Sequence, residues 1–174
     1  MNGLPVVYLG LGSNLGNREA NLRLAIRWLE PLVRVEAASS LYETAPVGTG
    51  GPPFYNAVVR VVTGLTPQAL LRHAKNVEWD IGRRPAARWA PRPIDIDLLV
   101  FGDETVNEPD LVVPHPLLGE RAFVLVPLAE LAPDLKPPGA GATVSELLSR
   151  LDASGVAKVR GPEWVEPALA LLRR

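Results

Sequence analysis

Apolar residues cluster along the chain in segments that have the composition of β-strands. Each segment is rich in Val, Ile, Leu, Tyr or Phe and is bounded by Gly, Pro, Asn or Asp, which punctuate strands. These segments are residues 5–14, 34–44, 54–64 and 92–101. We therefore predict four extended stretches, the first of which runs into a glycine-bearing turn.

Two segments between these strands have apolar residues at helical spacing. In residues 17–30, Leu22, Ala25, Ile26 and Leu29 fall on one helical face, and Asn17 is a suitable N-cap.

Thr66 followed by Pro67 predicts the start of a second helix, which extends to about Ile81. The order is strand, helix, strand, strand, helix, strand, as in a ferredoxin-like βαββαβ core. We therefore expect an α+β fold with an antiparallel sheet, helices on one face and C-terminal additions.

The additions follow residue 101. Residues 102–116 predict a hairpin and a return, and residues 120–133 an apolar segment that turns helical near its end. Thr143 and Glu146 form a predicted capping box for a short helix. We expect one domain over residues 1–152 and an appendage of unknown role over residues 153–174.

The composition narrows the class of protein. A chain of 174 residues with 47% apolar content can form one core, and a net charge of −1 argues against a general nucleic-acid binder. The absence of cysteine excludes a disulfide framework and a thiolate zinc site. No apolar run approaches about 20 residues and no signal pattern opens the chain, so we expect a cytoplasmic protein without membrane association.

Asp95 and Asp97 interrupt an otherwise apolar strand, RPIDIDLLVF. They share one face of the strand, with Cα atoms about 6.5–7 Å apart. Two such carboxylates repel each other and are costly to desolvate unless a cation lies between them. Mg²⁺, which takes one or two protein carboxylates plus phosphate oxygens, is the simplest partner. The alternative is a solvated or salt-bridged pair at a strand end.

The segment before this strand, RRPAARWAPR, contains four arginines and no acid. Its prolines and alanines predict a loop, which we call the arginine loop (residues 83–92). Guanidinium groups beside a metal site suit a polyphosphate, because arginines bind its oxygens while metal ions bridge them. A solubilising basic loop or a nucleic-acid patch is the alternative.

Four segments together resemble the 6-hydroxymethyl-7,8-dihydropterin pyrophosphokinase family, in order from about residue 6 to residue 152. They are YLGLGSNLGNREANLRLAI, SSLYETAPVG, FYNAVV and RPIDIDLLVFGDETVNEPDLVVPHPLLGERAFVLVPLAEL. The arginine and D-x-D block is highly specific, whereas G-x-G-S-N alone is weak. The resemblance implies transfer of the pyrophosphoryl group of ATP to the pterin's hydroxymethyl oxygen, with release of AMP, in folate biosynthesis.

The resemblance also implies site residues. Asp95 and Asp97 would hold two Mg²⁺ ions, with ATP as co-substrate, and Arg83 and Arg92 would act on the transition state. The implied pterin-side residues are Thr44, Pro46, Val47, Phe54, Asn56, Trp89, Asp95 and Phe123. The implied ATP-side residues are Glu78, Arg84, Arg88, Trp89, Arg92, Leu98, Val112, His115 and Arg121.

Several of these residues have a structural alternative. Phe54 and Phe123 are equally compatible with a core, His115 with a structural role, and Glu78 with an exposed helix charge. The arginine loop is one residue shorter than in some relatives, which affects Arg84. Asp110, Val112 and Pro116 also depart from residues that occur in relatives beside the ATP site.

Three other functions remain open from the sequence. They are another metal-dependent nucleotidyl or phosphoryl transferase, an RNA-binding or regulatory ferredoxin-like module, and an inactive homologue. The RNA-binding alternative predicts exposed sheet aromatics and a basic surface, which this sequence lacks. We expect a monomer that acts on small molecules and binds neither nucleic acid nor membrane.

Overall fold

The computed structural model describes residues 3–46, 48 and 50–171. Its strands are β1 (Val6–Ser13), β2 (Val33–Ala38), β3 (Leu41–Thr44), β4 (Phe54–Thr63), β5 (Asp95–Phe101), β6 (Val106–Glu108), β7 (Leu111–Val113) and β8 (Val156–Arg160). Its α-helices are α1 (Arg18–Leu29), α2 (Pro67–Ile81), α3 (Ala122–Leu131), α4 (Val144–Leu148) and α5 (Glu166–Ala170). Short 3₁₀ helices span Leu118–Glu120 and Pro162–Val165.

Six strands form one antiparallel sheet in the order β5-β1-β4-β3-β8, with β2 paired to β4 beside β3. β2 and β3 are two parts of one predicted extended stretch. At the break, Ser39 N–H donates to Val58 O and Ser39 Oγ accepts from Val58 N–H, each at 2.9 Å. Counted as one interrupted strand, they complete the predicted βαββαβ order and confirm the ferredoxin-like α+β fold.

The two core helices pack on one face of the sheet, and their predicted ends are correct. Leu22, Ala25, Ile26 and Leu29 of α1 are all fully buried there. Asn17 and Thr66 accept hydrogen bonds from main-chain N–H groups three residues ahead and so cap α1 and α2. This face holds the main core.

α3 and α4 cover part of the opposite face, over a second apolar cluster. The helical prediction for residues 120–133 was only partly right, because α3 begins at Ala122 and not near the end of the segment. Pro127 inside the helix and apolar residues around it concealed the helical period. The capping box of α4 is present as predicted. The uncovered part of this face, next to the start of α3, holds the site described below.

The last described residues, 153–171, are packed onto the domain. β8 extends the sheet beyond β3, with Val156 opposite Thr44. Trp164 is buried to 1% exposure, and its indole Nε1–H donates to Ser39 O at 2.8 Å. Along the described residues, no helix has the length and apolar content needed to cross a bilayer.

Candidate active site

Two glycines of β1 form the floor of the site. Gly12 lies between Asp95 of β5 and Asn56 of β4, and Gly10 lies between Asp97 and Val58. A Cβ on Gly12 would meet Asn56 Oδ1 at 3.2 Å, so a side chain there would crowd the amide. Bare glycine backbone in a central strand marks a place where a ligand can approach closely.

A cavity stands on this floor, beneath the start of α3 and the arginine loop. The predicted residues that line it are Thr44, Pro46, Phe54, Asn56, Trp89, Arg92, Asp95, Asp97, Arg121 and Phe123. The period of two along β4 and β5 places Phe54, Asn56 and both aspartates on this one face. Val47, also predicted here, lies outside the described residues.

Asp95 is held by two arginines of the arginine loop. Arg92 Nη1 donates to Asp95 Oδ2 at 2.9 Å, and Arg83 Nη1 donates to Asp95 Oδ1. These three side chains are mostly buried: Arg92 is 25% exposed, Arg83 28% and Asp95 22%. The arginines predicted to act on phosphate therefore neutralise a predicted metal ligand.

Asp97 has no comparable partner. Within the described residues, its carboxylate makes no hydrogen bond or ion pair. Burial, and then the negative charge of Asp95, raise the pKa of Asp97, while Lys75, Arg121 and Arg83 act in the opposite direction. A carboxyl group in this position is stabilised in its ionised form by a cation.

The two aspartates fit a magnesium ion that binds together with a phosphate. No cluster of three or more His, Cys, Asp or Glu side chains suited to a metal occurs in the described part of the chain. Mg²⁺ needs few protein ligands, because water and phosphate oxygens complete its shell. The donor set therefore suits a metal–nucleotide complex better than a metal held by protein alone.

Glu78 is not the exposed helix charge that its position on α2 allowed, since it is 2% exposed. Its Oε1 accepts from Ile96 N–H at 2.8 Å, between the two aspartates on the free edge of β5. It also pairs with Arg83 and Lys75, each at 3.1 Å. Burial raises the pKa of Glu78, although these partners oppose the shift. Glu78 thus positions the aspartate strand and Arg83 and is shielded from solvent.

The arginine loop forms one wall of a second, open groove beside the cavity. The groove is lined by cations from α2, the loop and the start of α3: Lys75, Arg83, Arg84, Arg88, Arg92 and Arg121. Arg84 stacks on Trp79 with its guanidinium carbon 4.0 Å from the ring centroid, and Arg88 stacks on Trp89 at 4.8 Å. The groove therefore combines positive charge with flat apolar surface.

Trp89 is a strained residue in this loop. Its φ is +70°, a left-handed conformation that costs a non-glycine residue about 1–2 kcal/mol. The residue is 45% exposed and lies close to the opposite loop, since a Cβ added to Gly48 would lie 3.4 Å from Trp89 Cγ. Strain of this kind is concentrated at ligand clamps and active sites.

The part of the cavity formed by β3, β4 and the start of α3 carries both polar and aromatic side chains. Asn56 is buried, and its amide donates to Thr44 Oγ1 at 2.7 Å. Phe54 and Phe123 are only partly buried and line the cavity, and Phe123 also packs against the second apolar cluster. Arg121 stacks on Phe123 at 5.6 Å and reaches both the cavity and the groove.

Three residues predicted on the ATP side line neither the cavity nor the groove. The Leu98 side chain is 4% exposed in the main core, on the face opposite the aspartates, so the structure does not bring it to the site. Val112 is 39% exposed on β7. His115 is half-buried and anchored to β5, since its N–H donates to Leu99 O at 2.9 Å. Burial, and then Arg121, lower the pKa of His115.

Two residues that contact the site residues or the loops beside them were not predicted from the sequence. Lys75 lines the groove and pairs with Glu78. Asn14, at the end of β1, contacts both loops that flank the site. The only signal for Asn14 was its place in G-x-G-S-N, which is weak, and Lys75 reads as an ordinary surface lysine of a helix.

Comparisons with known proteins agree on one family. The family model described as 7,8-dihydro-6-hydroxymethylpterin-pyrophosphokinase (HPPK) matches residues 8–133. The chain is 48% identical over 155 residues to a 2-amino-4-hydroxy-6-hydroxymethyldihydropteridine pyrophosphokinase of Methylorubrum extorquens, covering 87% of this chain and 97% of that one. It is 40% identical over 144 residues to the protein of the same name from Bacillus subtilis, covering 81% and 86%.

Solved structures show the same fold at low sequence identity. A Plasmodium falciparum HPPK-DHPS structure aligns with a TM-score of 0.71 at 19% identity, covering 86% of this chain and 46% of that one. An HPPK-DHPS structure in complex with substrates aligns with a TM-score of 0.73 at 13% identity, covering 90% and 47%. The chain thus spans about half the length of these larger proteins. With the family model matched over most of its length, the chain belongs to the 7,8-dihydro-6-hydroxymethylpterin-pyrophosphokinase family.

Proposed function

We propose that the chain transfers the β,γ-pyrophosphoryl group of ATP to 6-hydroxymethyl-7,8-dihydropterin. As a member of its family it is an ATP-dependent pyrophosphokinase of folate synthesis. The hydroxymethyl oxygen bonds to the β-phosphorus and loses its proton. The bond from that phosphorus to the α–β bridging oxygen breaks, and AMP leaves with the electron pair. The products are AMP and the pterin diphosphate.

One observation carries this proposal. Asp95 and Asp97 lie where an aromatic and amide-lined cavity meets an arginine-lined groove. A flat acceptor in the cavity and a triphosphate in the groove would therefore meet at the two carboxylates. Holding two substrates in reacting geometry is itself a large part of catalysis.

The cavity supports a pterin as the acceptor. We propose that Phe54 and Phe123 stack on the ring and that Asn56 hydrogen-bonds to its polar edge. The Thr44 hydroxyl already holds the Asn56 amide at 2.7 Å, which fixes its orientation before the ligand binds. Pro46 and Val47 are proposed for the loop side of the same pocket, and Trp89 for its roof.

The groove supports the triphosphate of ATP. We propose that Arg84, Arg88 and Arg121 bind phosphate oxygens, since guanidinium groups form paired, charge-assisted hydrogen bonds to them. His115 is proposed at the nucleotide edge, with a neutral ring because its pKa is lowered. For Glu78 we propose a positioning role through Ile96 and Arg83, and for Leu98 and Val112 only contacts at the margin.

Two magnesium ions are proposed at Asp95 and Asp97. When bound, they would neutralise phosphate charge and stabilise the attacking and leaving oxygens of an in-line displacement. Arg83 and Arg92, which hold Asp95 in the structure, would then be released toward the transferring phosphoryl group. Closure of the arginine loop would exclude water as a competing acceptor. We expect a monomer with small-molecule partners only.

A product assay tests the proposal. The protein is incubated with MgATP and 6-hydroxymethyl-7,8-dihydropterin, and AMP is separated from ADP. AMP that forms only with the pterin, without ADP, is the expected result. ADP would indicate transfer of a single phosphoryl group. No nucleotide turnover by the folded protein would favour an inactive or binding module.

A further inference from the structure

Asn14 is a buried polar residue at the end of β1, immediately after the glycine floor of the site. It is 3% exposed and has bonds to two separate segments. Its side-chain Oδ1 accepts from Arg92 N–H at 2.8 Å, and its own N–H donates to Arg92 O at 3.1 Å. Its side-chain Nδ2 donates to Pro52 O at 3.2 Å. One amide therefore satisfies groups on both sides of the cavity.

The two segments are the loops that flank the proposed substrates. Arg92 ends the arginine loop and contacts Asp95 through its side chain. Pro52 belongs to the pterin-side loop, which we define by the described residues 45, 46, 48 and 50–53. The loops also approach each other at Trp89 and Gly48, where a Cβ added to Gly48 would lie 3.4 Å from Trp89 Cγ.

We propose that Asn14 is a positioning residue that couples the pterin-side loop to the arginine loop. This inference rests on the proposed function, because that function assigns the pterin to the pterin-side loop and the triphosphate of ATP to the arginine loop. Through Asn14, ordering of the pterin-side loop by the acceptor fixes the backbone of Arg92 and hence its guanidinium beside Asp95. Asn14 contacts neither substrate in this proposal and acts only through Pro52 and Arg92.

The residue type is required by the chemistry of its partners. Arg92 N–H needs an acceptor and Pro52 O needs a donor, and a side-chain amide supplies one of each. Aspartate has the same shape and keeps the acceptor, but it opposes the Pro52 carbonyl with a carboxylate oxygen. Alanine removes both bonds. Gly51, which precedes Pro52, has a φ of +108°, a conformation that favours glycine at this position.

The test compares Asn14→Asp, Asn14→Ala and the matched control Asn17→Ala. Asn17 is three residues away and caps α1, so its loss removes a side-chain hydrogen bond without touching either loop. Two readouts are measured for each variant. The first is exchange of the Arg92 amide hydrogen by NMR in the protein alone, and the second is kcat and KM for the pterin in the AMP assay.

We expect the Arg92 amide of N14A to exchange roughly tenfold faster than in wild type, as for loss of one hydrogen bond. In N14D it stays protected. N14D raises KM for the pterin roughly fivefold or more with little change in kcat, whereas N14A also lowers kcat. N17A changes none of these quantities.

Unchanged Arg92 exchange in N14A, or kinetics of N14A that match those of N17A, would overturn the proposal. Should N14A not fold, the split between KM and kcat in the isosteric N14D decides the question. A wild type that makes no AMP would overturn the proposed function instead. In that case faster Arg92 exchange in N14A would still support the link between the loops, and unchanged exchange would still refute it.

Discussion

Arg92 donates to the carboxylate of Asp95 from only three residues away, at 2.9 Å. Arg83 contacts the other oxygen of the same carboxylate, so Asp95 is fully engaged by protein cations. Asp97, two residues on, has none among the described residues. The two aspartates that look equivalent in sequence therefore stand in different electrostatic environments. A metal ion at this pair would have to displace the arginines from Asp95 but would meet Asp97 directly.

We predict that Asp95→Ala and Asp97→Ala each reduce turnover by about 10²-fold or more while the protein stays folded, because each removes a proposed ligand of the metal. The measurements are AMP formation and binding of Mn²⁺ as a magnesium substitute. Asp103→Ala is the matched control, since Asp103 is exposed in the turn after β5. Normal turnover in either site variant would contradict the metal assignment.

Arg92→Ala is predicted to lower kcat by about 10²- to 10³-fold, the usual scale for losing one preorganised donor to a transition state. It should not weaken Mn²⁺ binding, because its loss frees Asp95. Steady-state kinetics with a Mn²⁺ titration separates the two effects. Arg72→Ala, an exposed arginine of α2, is the control. A rise in KM for ATP with kcat unchanged would instead make Arg92 a ground-state clamp.

Glu130 of α3 provides a pH test away from the aspartates. Its carboxylate accepts from Tyr42 OH at 2.6 Å, from Ser40 Oγ at 2.8 Å and from Ser40 N–H at 2.9 Å. Burial tends to raise the pKa of Glu130, but the hydrogen bonds from Tyr42 and Ser40 outweigh it and lower the pKa. The lowered pKa belongs to the folded state. The charged carboxylate therefore stabilises the folded protein at pH values above the ordinary pKa of 4.5, and this stabilisation is lost as the pH falls through the lower pKa of the folded state.

We therefore predict that Glu130→Gln is less stable than wild type at pH 7 and that this difference shrinks as the pH falls below about 4.5. Urea denaturation at several pH values measures it. Glu104→Gln, in the exposed turn after β5, controls for general loss of a carboxylate. A difference between wild type and E130Q that is constant with pH would show that the hydrogen bonds act independently of the charge.

The parts of the site that lie on regular strands could be predicted from the sequence. A period of two is enough to place Asp95 beside Asp97 and Phe54 beside Asn56, and the sheet brings these faces together. Helix caps were equally predictable, because a cap is a local interaction between residues three positions apart.

The remaining features depend on contacts between distant segments, which no local pattern encodes. Glu78 looks like a surface charge on α2, yet it caps an N–H of the edge strand β5, 18 positions away. Asn14 joins segments 38 and 78 positions away. Leu98 is the reverse case, since the same alternation that turns Asp95 and Asp97 toward the cavity turns the Leu98 side chain into the core.

Trp164 shows that the segment after residue 152 contributes to the domain. Its indole is 1% exposed, donates to Ser39 O at 2.8 Å, and lies beyond the residues that the family model matches. Its main-chain oxygen accepts from Arg23 Nε at 2.6 Å, which ties the segment to α1. β8, just before it, pairs with β3, whose last residue Thr44 orients Asn56.

We predict that Trp164→Ala lowers the free energy of unfolding by about 3–5 kcal/mol, the usual cost of truncating a buried Trp. Because the segment supports β3, KM for the pterin should rise more than KM for ATP. Urea denaturation and steady-state kinetics test the two parts separately. Trp28→Ala, on the exposed side of α1 at 39% exposure, is the control and should cost far less. A loss of stability with both KM values unchanged would limit the segment to a structural role, and equal losses in both tryptophan variants would contradict its burial.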